Sequence, residues 1–159
     1  MRLKEIVLIR HGEYDQETGA LYPVGRTKIY KQARDLKQRY SESKISILSS
    51  PAKRAWQTAD IISDIIGETN VEIVTWLHCP RNFLEQHHVT LALRAIKENG
   101  DNYDVLIFTT HSEFVESFPR AWGGTRKLRI PIVNEPPPGS MRILNLEDGT
   151  CEYLPVPPL

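Results

Sequence analysis

Short apolar runs alternate with helical hydrophobic patterns along most of the chain. Four mostly apolar runs, each typical of a buried strand, lie at residues 6–9, 45–48, 71–74 and 105–108. Helical patterns lie between these runs. Strands and helices that alternate in this way predict a mostly parallel sheet with helices on both of its faces.

Three segments have mostly apolar residues spaced three or four positions apart, which places them on one face of a predicted helix. The three stripes are Ile29, Ala33, Leu36 and Tyr40; Ala55, Ala59, Ile62 and Ile66; and Leu84, His88, Leu91 and Ala95. Ser50 as the N-cap and Pro51 at the first helical position predict where the second helix begins. Gly67 and Gly100 stand where the second and third helices are expected to end.

The C-terminal part of the chain has a different pattern. Residues 140–146 and 150–154 are strand-like and flank Glu147, Asp148 and Gly149, which predicts a hairpin with a glycine-containing turn. Residues 136–138 are three prolines, which form a stiff loop before it. The whole pattern predicts a single α/β domain over residues 1–159, with a three-layer α/β/α arrangement and a mostly parallel sheet that ends in a C-terminal antiparallel hairpin.

Composition narrows the classes of protein that remain. The chain has 159 residues, and 20 Lys and Arg balance 20 Asp and Glu, so binding to nucleic acid through bulk positive charge is not expected. No apolar run is long enough to span a membrane, so no membrane partner is expected. Cys79 and Cys151 are too few for a disulfide framework, which predicts a reduced, cytoplasmic setting.

Arginine and histidine side chains follow three of the predicted strands. Arg10 and His11 follow the first run, Arg54 lies in the segment after the second, and His111 follows the fourth. In open α/β sheets, ligands bind beyond the carboxyl ends of the strands. Two histidines and two arginines are therefore expected at one rim of the sheet.

These segments resemble the motifs of the histidine phosphatase superfamily, which is also called phosphoglycerate-mutase-like. The similarity lies in Arg10-His11-Gly12, in residues 49–59, in Thr110-His111-Ser112 and in the late strand at residues 139–146. It covers nearly the whole chain, whose length is similar to that of the small phosphohistidine phosphatases. The resemblance implies that His11 is the nucleophile, and that Arg10, Arg54 and His111 bind phosphate.

The chemistry of phosphoryl transfer agrees with these roles. An imidazole attacks phosphorus only through an unprotonated nitrogen, and two nearby guanidinium groups keep His11 neutral. A backbone carbonyl is the expected partner of the other ring nitrogen, which fixes the tautomer. Arg10 and Arg54 can each bind phosphate oxygens as a fork. No metal and no cofactor is needed in this scheme.

The general acid is the least defined part of the site. Many members of the superfamily carry a carboxylate after the third strand, where Glu85 is the candidate here. Glu113, two residues after His111, is the rival and is slightly favoured, and Glu13 is a distant third. The adjacent residues His87 and His88 are expected to point to different helix faces, so no metal site is predicted.

Two functions fit this sequence. The first is a metal-independent phosphohydrolase that forms a phosphohistidine intermediate and acts on a phosphohistidine protein or a small phosphomonoester. The alternative is a phospho-ligand binding or adaptor protein with a degenerate active site. In both, the partner is a phosphorylated small molecule or a phosphoprotein. Mutase activity is not expected, because the long substrate-capping insertions of the mutases are missing.

Overall fold

A six-stranded mixed sheet forms the centre of the fold. A computed structural model describes residues 1–67 and 70–158. The strands are β1 (Glu5–Arg10), β2 (Ile45–Ser49), β3 (Val71–Ile73), β4 (Val105–Thr110), β5 (Met141–Asn145) and β6 (Cys151–Leu154). Their order in the sheet is β3-β2-β4-β1-β5-β6. The first four strands pair in parallel and the last two pair antiparallel, as the sequence predicts.

Helices cover both faces of this sheet. They are α1 (Pro23–Arg39), α2 (Lys53–Ile66), α3 (Gln86–Asn99) and α4 (Ser112–Gly124). Successive side chains of a strand point to opposite faces. Val7 and Ile9 of β1 therefore pack in one core with α1 and α2, whereas Ile6 and Leu8 pack in a second core with α3 and α4. The predicted three-layer α/β/α arrangement is confirmed. Among the described helices, none is long and apolar enough to cross a membrane.

The third strand is shorter and more exposed than predicted. β3 covers Val71–Ile73, and Glu72 and Ile73 are both exposed, with Ile73 retaining 50% of its accessible surface. The reason is its place in the sheet, because β3 is the outermost strand and pairs only with β2. An edge strand has a neighbour on one side alone, so a mostly apolar run of residues does not ensure burial there.

The second helix begins later than predicted. α2 starts at Lys53 with Ala52 as its N-cap, instead of starting at Pro51 with Ser50 as the cap. The Ser50 hydroxyl accepts a hydrogen bond from the Ala52 backbone at 3.3 Å and also lies 2.8 Å from Nε2 of His111. Ser50 thus contacts the histidine that follows β4 and is not the N-cap of α2. At the other end, Gly67 is the predicted C-cap, with a left-handed φ of 84°.

The buried face of the third helix coincides only in part with the predicted stripe, of which His88 and Ala95 are buried. Leu84 precedes α3, which begins at Gln86, and Leu91 is only half-buried. Five residues of α3 are buried: His88, Val89, Ala92, Ala95 and Ile96. Glu85 and His88 form a capping box, so the helix begins after Leu84 and this residue of the stripe lies outside it. Gly100 ends α3 as predicted.

Candidate active site

The three parallel strands β1, β2 and β4 bring the four predicted phosphate-site residues together. Nε of Arg54 lies 3.2 Å from Nε2 of His11, and Nη2 of Arg54 lies 3.5 Å from Nδ1 of His111. The ring centroids of the two histidines are 5.1 Å apart. The Arg10 guanidinium is close enough for its charge to lower the pKa of both histidines. The structure therefore joins the predicted residues into one cationic pocket.

The predicted backbone partner of the His11 ring is present. Nδ1 of His11 lies 2.9 Å from the carbonyl oxygen of Gly12. A carbonyl oxygen only accepts hydrogen bonds, so Nδ1 carries the hydrogen and the lone pair is on Nε2. Nε2 accepts the hydrogen bond from Nε–H of Arg54. The nitrogen that can act as a nucleophile thus points at the arginine that is expected to bind phosphate.

Both histidines of the pocket are neutral over the physiological pH range. Burial, followed by the charges of Arg54 and Arg10, lowers the pKa of His11 to about 3, although the hydrogen bond to Gly12 opposes this shift. Burial, followed by the neighbouring His11 and Arg54, lowers the pKa of His111 to about 2. An unprotonated Nε2 on His11 is the form that attacks phosphorus.

These lowered pKa values predict that acid destabilises the fold. Between about pH 6.5 and pH 3 the unfolded chain binds more protons at His11 and His111 than the folded chain does, so stability is lost as the pH falls through this window. Each histidine contributes a slope of up to about 1.4 kcal/mol per pH unit. Urea unfolding at several pH values gives the free energy of unfolding as a function of pH. Its slope against pH should be smaller for His11→Gln than for the wild type. Identical slopes would contradict the burial of a neutral imidazole.

Two further side chains complete the pocket and were not predicted from the sequence. Ser50 lies 2.8 Å from Nε2 of His111 and so holds that ring. The guanidinium of Arg54 lies over the ring of Tyr14, 4.5 Å from its centroid, and the same ring meets His11 edge to face at 5.2 Å. Tyr14 is the second residue after the first motif, and an aromatic residue so close in sequence was a signal that its side chain packs against that motif.

The two candidate acids lie in different surroundings. Burial lowers the pKa of Arg10, and the charge of Glu113 opposes that shift, so this carboxylate lies near the guanidinium. Oε2 of Glu113 is buried without a hydrogen-bond partner, as is Nε of Arg10, whose Nη1 donates to the carbonyl of Pro136 at 2.8 Å. Glu85 belongs to the capping box of α3 and forms an ion pair with Arg81 at 3.1 Å.

One group of possible metal ligands occurs among the described residues. Side-chain ligand atoms of Glu85, His87 and His88 lie within 4.8 Å of one another. His88 is buried and His87 exposed, as adjacent helix positions predict, yet their rings are in contact at 3.9 Å. The Glu85 carboxylate already binds Arg81 and the His88 backbone, and Nδ1 of His88 accepts the Glu85 N–H at 3.0 Å. Since these lone pairs are in use, no metal site is assigned here.

Comparison with known proteins agrees with the fold and the motifs. Residues 6–78 match the sequence model of the histidine phosphatase superfamily (branch 1). No curated protein sequence matches the chain. Three solved structures illustrate the similarity of fold. The protein histidine phosphatase SixA, complexed with tungstate, is 19% identical, with a TM-score of 0.69 and 94% of each chain covered.

The other two are phosphatases of small molecules. The ecdysone phosphate phosphatase of Bombix mori, also with tungstate, is 13% identical, with a TM-score of 0.75 and coverage of 98% of this chain and 94% of that one. A mycobacterial glucosyl-3-phosphoglycerate phosphatase with VO3 is 15% identical, with a TM-score of 0.66 and coverage of 94% and 97%. The matched segment contains Arg10, His11 and Arg54, so the chain is similar to the histidine phosphatase superfamily in the sequence of residues 6–78 and in its fold.

Proposed function

We propose that the protein is a metal-independent phosphohydrolase that forms a covalent phosphohistidine on His11. One observation carries the proposal: Nε2 of His11 is neutral and buried, and its lone pair faces the Arg54 guanidinium at 3.2 Å. The superfamily and its phosphatase fold neighbours support an enzyme of this class. The two free cysteines, Cys79 and Cys151, support a reduced, cytoplasmic setting for it.

The geometry supports the following order of events. A phosphoryl dianion attracts the guanidinium fork of Arg54 to its oxygens, which releases Nε2 of His11 from its hydrogen bond. Nε2 then attacks phosphorus in line with the bond to the leaving group. Arg10 and Arg54 stabilise the charge on the oxygens of the transition state, and His111, held by Ser50, adds a hydrogen bond. Tyr14 keeps water from one side of the His11 ring.

The substrate we propose is a phosphohistidine protein or a small phosphomonoester. A pocket made of two guanidinium groups and two neutral imidazoles recognises the phosphoryl group itself, which both classes share. Fold neighbours act in both classes, since one is a protein histidine phosphatase and another an ecdysone phosphate phosphatase. Glu113 and Glu85 stay predictions for the general acid. Of the two, Glu113 has the buried oxygen without a partner.

A binding or adaptor role is the second candidate. It is favoured by one observation, namely that Glu85 is committed to the start of α3 and to Arg81 rather than to the pocket. A site without a working general acid would hold a phosphorylated ligand without turning it over.

Hydrolysis of two substrates in the presence of EDTA separates the two candidates: ethyl phosphate, whose basic leaving group needs an acid, and p-nitrophenyl phosphate, whose leaving group does not. The phosphohydrolase should release p-nitrophenol at the same rate with and without the chelator, because its charge stabilisation comes from Arg10 and Arg54. Vanadate should inhibit competitively, since oxyanions fit the guanidinium forks. Isothermal titration with vanadate completes the test. Binding without turnover would support the adaptor, and turnover abolished by EDTA would contradict the metal-independent scheme.

A further inference from the structure

All five histidines of the chain lie in one connected series, although only two of them belong to the phosphate pocket. The ring centroids of His11 and His111 are 5.1 Å apart, and the ring centroid of His78 lies 5.0 Å from that of His111. His88 interacts with the backbone of His78, and His87 packs on His88 at 3.9 Å. His78 is thus the link between the pocket and the start of α3.

The position of His78 is fixed from two sides. It directly follows a single 3₁₀ turn, Thr75–Leu77, and the hydroxyl of Thr110 at the end of β4 donates to the carbonyl of Leu77 at 2.7 Å. The buried His88 holds the His78 backbone from the α3 side. The segment is therefore anchored above the carboxyl end of β4, while the half-buried His78 ring remains accessible to a ligand.

His78 lies next to the histidine that is expected to bind phosphate. The ring of His11 contacts Tyr14 and His111, and the ring of His78 also contacts His111. A phosphoryl group held by His111 is therefore within reach of both His11 and His78. In-line displacement requires the leaving group to depart opposite the nucleophile. His78 is the imidazole nearest to the phosphate ligands that can meet that leaving group.

The two carboxylates face other groups. Glu113 lies near Arg10 and near the thiol of Cys79, so it stands on the Arg10 side of the pocket. Glu85 is held by Arg81. The charges that act on His111 are those of His11, Arg54, His78 and Arg10. Among these groups, His78 is the one that can both give and accept a proton without being the proposed nucleophile or a phosphate-binding guanidinium.

We propose that His78 is the proton-transfer group on the leaving-group side of the pocket, in place of a carboxylate. The inference rests on the proposed function. In the first step, Nε2 of His11 forms a bond to phosphorus, the bond from phosphorus to the leaving atom breaks, and that atom takes the electron pair and a proton from protonated His78. In the second step, neutral His78 takes a proton from water, whose oxygen bonds to phosphorus. The phosphorus–nitrogen bond breaks, its electron pair returns to His11, and inorganic phosphate leaves.

The charge state of His78 depends on the groups that face it. His111 faces it from the end of β4, with Arg54 and Arg10 behind, and His88 faces it from α3. Both histidine neighbours are buried, and burial lowers the pKa of each, so they are neutral near pH 7. An imidazole can donate a proton in one step and accept one in the next, which suits a group that acts as acid and then as base.

The test compares His78→Gln with Glu113→Gln and with a matched control, His87→Gln, on two substrates. Ethyl phosphate leaves as a strongly basic alkoxide that needs a proton, whereas p-nitrophenyl phosphate leaves as a weak base that does not. His78→Gln should lower kcat on ethyl phosphate by about 10²-fold and change kcat on p-nitrophenyl phosphate far less. It should also remove the alkaline limb of the pH profile of kcat on ethyl phosphate. His87→Gln should behave as the wild type.

Other results overturn the inference. Equal losses on both substrates, or a rise in KM with kcat unchanged, would make His78 a phosphate-binding or structural residue. If Glu113→Gln, and not His78→Gln, lost activity selectively on ethyl phosphate, the proton-transfer group would be Glu113. Unaltered vanadate affinity in His78→Gln, and the same kinetics in His78→Asn, show that the pocket is intact. If the wild type does not hydrolyse p-nitrophenyl phosphate, the proposed function itself fails, whereas an active wild type with an unchanged His78→Gln variant removes this inference alone.

Discussion

Replacing His11 by alanine should reduce kcat on p-nitrophenyl phosphate by on the order of 10⁴-fold or more. The reason is that Nε2 of His11, on the proposed mechanism, supplies the electron pair that bonds to phosphorus, whereas His111, the other neutral imidazole beside Arg54, is held by Ser50 through its Nε2. The remaining activity would come from the two guanidinium groups, which still polarise the phosphoryl group for attack by water. Incubation with a phosphorus-labelled substrate should label the wild-type protein and leave His11→Ala unlabelled. The label should be lost in acid, because phosphohistidine is acid-labile.

The control for this variant is His87→Ala, which removes an exposed imidazole from the neighbouring start of α3. It should retain wild-type turnover. Because His11 is only 3% exposed, its removal also leaves a cavity, so circular dichroism and vanadate binding must show that the His11→Ala pocket still forms. Near-normal turnover in a folded His11→Ala variant would show that the nucleophile is another group.

Replacing Arg54 by lysine should lower kcat/KM by about 10²- to 10³-fold, even though the charge is kept. Arg54 reaches His11 with Nε and His111 with Nη2, and its plane packs on the Tyr14 ring. A lysine ammonium cannot form this fork or stack in the same way. The measurement is kcat/KM together with the inhibition constant of vanadate, which should rise with the loss of the fork.

Arg34→Lys is the matched control, because Arg34 is exposed on α1 and outside the pocket. A second variant, Arg54→Met, removes the charge as well as the fork. The charge of Arg54 contributes, after burial, to the low pKa of His11, so the acid limb of kcat/KM should move to higher pH in Arg54→Met. A wild-type vanadate constant in Arg54→Lys would contradict a direct role of this arginine in binding the phosphoryl group.

The convergence of the pocket was predictable because it depends on the sheet. Arg10 ends β1, His11 and His111 directly follow β1 and β4, and Arg54 lies in the first turn of α2 after β2. The carboxyl ends of these parallel strands meet at one edge. The partner of Nδ1 was predictable too, since a buried imidazole needs an acceptor and the nearest one is the backbone of Gly12. These features follow from strand order and local chemistry.

The side chains that come from connecting segments were less accessible to sequence reasoning. The local sequence predicted that Ser50 caps α2, but its hydroxyl lies against His111, which follows the neighbouring strand β4. The orientation of His78 depends on the bond from Thr110 to the carbonyl of Leu77, 33 positions away. β3 has the composition of a core strand but lies at the edge, because strand order is decided by pairings that no short segment specifies.

The central position of β1 has a consequence for how the chain is made. β1 pairs with β4 on one side and β5 on the other, and the Arg10 side chain donates a hydrogen bond to a carbonyl 126 positions further along. Pairings this distant make folding slow, because a long loop must close before the contacts form. β1 therefore cannot complete its pairing until β5 has been synthesised. Until then the apolar strand is exposed to aggregation, and shortening the chain before β5 should abolish the activity that we propose for His11.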